Sequence, residues 1–178
     1  MHSWLAKGIL AVVTLVLALS GMAWAAVDDD GCSNATLTGD YGFTIAGQDF
    51  PRSGPTVTAG IAMEHFDGTG HLTQVDFIVT DGTPQPGEGN ATTGFTFRTG
   101  QTGTYTVNPD CTGSMEIDLN VPVPTGSGGV IHSMFVLSNH GRAIHAVVAE
   151  FTPPGATAPV PNTTRADGYK LGSDSDHE

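Results

Sequence analysis

The chain is poor in positive charge, in cysteine and in long apolar stretches, and each shortage excludes something. Its 178 residues carry 6 Lys and Arg against 18 Asp and Glu. So acidic a chain argues against nucleic acid and against a membrane surface as partners, because both attract basic patches. After residue 25 no apolar run is long enough to cross a bilayer as a helix, and no stretch carries an amphipathic helical pattern. The HExxH, GxSxG and phosphate-cradling glycine patterns are missing too. No cofactor is implied.

What is present begins with a processing segment. In residues 1–25, Lys7 supplies a positive start, residues 9–19 an apolar stretch, and Ala23-Trp24-Ala25 a small-residue cleavage pattern. This reads as a cleavable signal peptide and predicts a secreted or periplasmic protein. Both tryptophans, Trp4 and Trp24, would leave with it, and so would Lys7. The remainder keeps five basic against 18 acidic residues, a formal charge of −13. Its roughly 150 residues suit one compact domain. Cys32 and Cys111 are the only cysteines, and export makes a disulfide between them the natural reading. Closing a loop of that length contributes roughly 4–5 kcal/mol.

From Thr38 onward short alternating runs lie between Gly, Pro, Asn and Asp clusters. Strands are predicted over residues 40–47, 56–66, 71–80, 92–98, 103–107, 115–121, 130–138 and 142–151, with the 92–98 and 103–107 runs joined near Gly100. Eight consecutive, mostly hairpin-linked strands favour an all-β fold, an antiparallel up-and-down barrel that leaves no sheet edge. A two-sheet sandwich is the alternative. The barrel domain is placed at 26–152, and 153–178 reads as a Pro-rich, acidic, largely disordered tail with a short strand as an option at 165–171.

Two hairpins carry the chemistry. Around Asp67-Gly68-Thr69-Gly70, a three-residue loop with Gly70 left-handed pairs Phe66 with Leu72. It collects Ile61, Met63, Val75, Phe77 and Val79 on one face and Glu64, Gln74, Asp76 and Ile78 on the other. The polar set reads as the solvent side; were the interior polar, Glu64 would be a site residue. In the 130–151 hairpin, a three-residue loop at Asn139-His140-Gly141 pairs Ser138 with Arg142, Val136 with Ile144 and His132 with Val148. That register gathers His132 and Glu150 among Met134, Val136, Ile144, Ala146 and Val148.

In order along the chain stand Cys32-Ser33, Leu37-Thr38-Gly39-Asp40-Tyr41-Gly42-Phe43, Phe66-Asp67-Gly68-Thr69-Gly70-His71-Leu72 and the run from Gly103 to Gly113. This series resembles a group of small exported bacterial proteins of unassigned function, similar at fold level to calycin and allene oxide cyclase-type barrels. The resemblance implies a barrel and carries no catalytic residue across.

The expected function is binding of a small, mostly apolar ligand in a pocket of Met134, Val136, Ile144 and Val148. The alternatives are a cyclase-, isomerase- or other small-molecule-modifying enzyme using His132, Glu150 and Glu64, and a structural or cell-surface domain with a filled core. His65, His71 and Asp67 share a hairpin tip, but polar residues belong at a tip, and no metal site is assigned. Both faces of the 130–151 hairpin are apolar, which predicts a homo-oligomer.

Overall fold

A computed structural model describes residues 31–85, 96–120 and 128–172. The segment 1–25 read as a signal peptide, most of the strand expected at 92–98, and the acidic end 173–178 lie outside the described residues. The elements are a 3₁₀ turn at Asn34–Thr36 and strands β1 (Thr38–Asp49), β2 (Thr56–Asp67), β3 (His71–Thr80), β4 (Thr83–Pro84), β5 (Arg98–Val107), β6 (Thr112–Asp118), β7 (Val130–Ser138), β8 (Ala143–Thr152) and β9 (Arg165–Lys170).

Every pairing is antiparallel. Taking β4 aside as a two-residue addition to β3, each strand pairs with the next, and β9 pairs with both β8 and β1. The result is a closed eight-stranded up-and-down barrel, consistent with a calycin-like fold. Among the described residues no helix is long and apolar enough to cross a membrane.

The strand inventory differs from the sequence reading in two places. Residues 98–107 form one strand that runs through Gly100, so the predicted break there does not occur. The eighth barrel strand is β9, inside the segment read as a tail. Arg165-Ala166-Asp167-Gly168-Tyr169-Lys170 has little apolar alternation, but it lies between two strands that leave no other partner for their edges. Backbone pairing, rather than side-chain pattern, holds it. Bridges from Asn162 to Asp49 and from Val160 to Phe151 secure the chain leading into it.

The two hairpins show why one register was readable and the other was not. Phe66 does pair with Leu72. The Asp67 carboxylate specifies that turn locally, accepting from the Thr69 hydroxyl at 2.6 Å and from the amides of Thr69, Gly70 and His71 at 2.7–3.0 Å. These bonds, the Thr69 hydroxyl first, hold its pKa well below the usual carboxylate range. In the β7–β8 hairpin the loop takes four residues. Asn139, His140 and Gly141 are all left-handed, Arg142 N–H bonds to the Asn139 carbonyl, and Ser138 pairs with Ala143. Distant contacts fix it: the Tyr41 hydroxyl donates to the Gly141 carbonyl at 2.5 Å, and a Cβ on Gly141 would sit 2.7 Å from Thr36. One extra loop residue moves every pair by one and exchanges faces. Leu137, not Val136, therefore meets Ile144.

One end of the barrel is plugged. Phe66 stacks edge-on between Tyr41 and Tyr105, with ring centroids 5.3 and 5.0 Å apart, and Leu37 is fully buried beside them. The Tyr105 hydroxyl donates to the Leu37 carbonyl at 3.0 Å, and Asn34 accepts from the Val107 amide at 2.8 Å. The expected Cys32–Cys111 disulfide ties this lid to the β5–β6 turn. It is compatible with an oxidising compartment.

The inner wall is packed tightly enough for single atoms to matter. Gly168 on β9 faces Phe43 on β1, and an added Cβ would lie 2.4 Å from the ring. Gly168→Ala is expected to destabilise the barrel by about 1–3 kcal/mol, read as a lower urea midpoint with an unchanged slope.

Candidate functional site

The face expected to meet water points inward. Glu64, Gln74, Asp76 and Gln101 are all buried, while Ile61 and Met63 stand outside, 49% and 44% exposed. The polar residues form a row across three neighbouring strands. Glu64 on β2 is opposite Gln74 on β3, which is opposite Gln101 on β5. Gln74 donates from Nε2 to Gln101 Oε1 at 2.6 Å and lies 3.3 Å from Asp76 Oδ2.

Arg98 completes the row through a backbone device. Between Gln74 and Asp76 the β3–β5 register shifts, leaving an extra residue in β5 where Gly100 is left-handed. Without that bulge Arg98, three positions from Gln101, would face outward. With it, Arg98 enters the barrel and grips Asp76 with two bonds, Nε to Oδ1 at 2.6 Å and Nη2 to Oδ2 at 2.5 Å. The pair is largely buried, with Asp76 1% exposed. A forked, doubly bonded geometry is what a buried ion pair needs to offset its desolvation.

Glu64 has no such counter-ion. Its Oε2 is buried without a hydrogen-bond partner, and so is Gln101 Nε2. Burial first, and the charge of Asp76 second, push the Glu64 pKa up to about 8. At neutral pH this carboxyl holds its proton.

Glu64, Gln74, Asp76 and Arg98 floor a chamber of about 310 Å³ at the end opposite the plug. Phe43, Ile45, Ile117, Ile131 and Val148 supply its apolar walls, beside the small side chains of Ala146 and Ser133. Asp49, Thr56, Thr80 and Pro153 line the mouth, where burial raises the Asp49 pKa.

The other residues picked from the sequence scatter. Val148 lines the chamber and Ile144 is buried in the core, but Met134 and Val136 are on the outer wall, 52% and 48% exposed. His132 and Glu150 are direct cross-strand partners, not diagonal neighbours, because a bulge at Ala149 changes the register between them and Ser133–Val148. Both face outward. His132 Nδ1 is 3.4 Å from Glu116 Oε2 on β6. The one-residue register change explains the exchange of Met134 and Val136 for Ile131 and Ser133. At the β2–β3 tip, His65 bonds Asp40 at 2.8 Å and His71 lies 3.3 Å from Asp67.

A second arrangement was missed because its members lie on three strands. Ser138 Oγ is 3.1 Å from His145 Nε2, whose Nδ1 is 2.9 Å from Asp167. His145 and Asp167 are half-exposed on the open outer wall. Such a hydrated row lacks the water-excluded setting that gives catalytic dipoles their strength.

No family model, curated protein or solved structure matches the chain.

Glu64 makes stability depend on pH in a definite direction. The folded state holds this proton up to about pH 8, whereas the unfolded chain releases it near 4.5. Between those values the folded state binds more protons, so this group lowers stability as pH rises, by up to about 1.4 kcal/mol per pH unit. Urea titrations from pH 5 to 8 on the protein and on Glu64→Gln are expected to show that slope shallower in the variant.

Proposed function

We propose that the protein is an exported β-barrel that binds a small, mostly apolar molecule in its interior chamber. The observation that carries this reading is the chamber itself. About 310 Å³ with apolar walls and a few buried polar groups at one end is the composition of a small-molecule site. A purely structural barrel of this size would fill that volume with side chains, as the plugged end does. Export is supported by the leader pattern in residues 1–25 and by the disulfide.

The enzyme alternative built on His132 and Glu150 draws no support from the geometry, since both face water away from the chamber. Self-association remains part of the proposal. Met134 and Val147 are opposite one another on the outer wall beside Val136, and all three are about half exposed.

An uncharged fluorescent probe, N-phenyl-1-naphthylamine, tests the binding reading. Its emission is expected to rise and shift to the blue on mixing with the protein. Ala146→Phe, which puts a large ring where a small side chain lines the chamber, is expected to weaken the titration at least about tenfold while leaving the circular dichroism unchanged. Equal binding by a folded Ala146→Phe variant would place the probe elsewhere and remove the support.

A further inference from the structure

We propose that the chamber selects an uncharged ligand whose apolar body carries a hydrogen-bond-accepting group of carbonyl type, seated against Glu64. This deepens the binding reading above and rests on it.

The polar floor has unequal members. Both oxygens of Asp76 are engaged by Arg98, so that pair is neutral as a unit. Gln74 Nε2 is held by Gln101. Among the described residues Glu64 alone both lines the chamber and has a buried side-chain atom with no partner. Leaving such an atom unsatisfied costs about 1–3 kcal/mol, which a ligand that completes the bond recovers. The remaining orphan in the row, Gln101 Nε2, is a donor as well.

The charged groups decide what kind of ligand fits. The titratable or charged residues around Glu64 are Tyr41, its cross-strand partner on β1, Asp76 on β3 and Arg98 on β5. Among the described residues lining the chamber the one cation, Arg98, is already committed to Asp76, so a carboxylate ligand would find no counter-charge there. An ammonium ligand would require Glu64 to ionise, burying two further full charges at several kcal/mol each before their attraction is counted. A neutral acceptor asks for neither. Glu64 keeps its proton at neutral pH, so its hydroxyl is the donor that such a ligand meets. Phe43, Ile45 and Ile117 provide the apolar contact for the rest of the molecule.

Three molecules of one shape separate the cases: acetophenone, isopropylbenzene and 1-phenylethylamine, titrated into the full chain and followed by amide chemical shifts at pH 6.5. Acetophenone is expected to bind about tenfold more tightly than isopropylbenzene. Glu64→Gln, which keeps an N–H donor, is expected to retain that preference, and Glu64→Leu to lose it. Raising the pH from 6.5 to 9 is expected to erode the preference in the unaltered protein and not in Glu64→Gln. Equal binding of acetophenone and isopropylbenzene, or tightest binding of the amine, overturns this inference while leaving the chamber a binding site. Failure of all three to bind overturns the chamber reading itself.

Discussion

Ring closure is the constraint on which the rest of this molecule depends. With β9 bonded to both β8 and β1, the alternation of side chains along each strand becomes a choice between a sealed interior and bulk water. On β2 and β3 that choice sends the polar row inward. A polar row inside a closed barrel cannot borrow hydrogen bonds freely from water, so each member must find a partner or remain unsatisfied. Asp76, Gln74 and Arg98 have found theirs, and Glu64 has instead kept its proton.

The same closure divides the interior into a packed end and an open one. At one end, the Tyr41–Phe66–Tyr105 stack and the disulfide-tethered lid remove volume and fix backbone carbonyls. Toward the other, narrow residues such as Ala146 and Ser133 leave the volume open. Dense packing and open volume are thus separated along the barrel axis. The plugged end can hold the fold together without requiring the chamber to be filled.

Much of the architecture was legible from the sequence, and the failures share a physical cause. The antiparallel barrel and the cysteine pair follow from local alternation, turn residues and the reading of export, whereas the count of eight agrees only because the single strand through Gly100 and the added β9 offset one another. The β2–β3 register was readable because Asp67 specifies its own turn through bonds within four residues. The β7–β8 register was not, because Tyr41 and Thr36, a hundred residues away, hold Gly141 in place. Arg98 was overlooked because only a bulge at Gly100 turns it inward. β9 reads in the sequence only as an optional strand at 165–171, because its partners, rather than its pattern, make it a strand. The alternation around Glu64 points it toward water, since polar alternation in a sheet usually faces solvent. The signal that could have tipped that reading is the opposite face: Ile61, Met63 and Val75 are matched by similar apolar residues on both sides of the 130–151 hairpin. An apolar side is therefore no guide to the interior of this chain.

The central claim is that a neutral carboxyl forms the floor of the chamber, and titration of the side-chain carboxyl carbons by ¹³C NMR tests it most directly. Among the five glutamates of the chain, one resonance should titrate near pH 8 and disappear in Glu64→Gln. Titration of every glutamate in the ordinary carboxylate range, near 4 to 5, would mean that Glu64 is hydrated and charged, and would contradict the account.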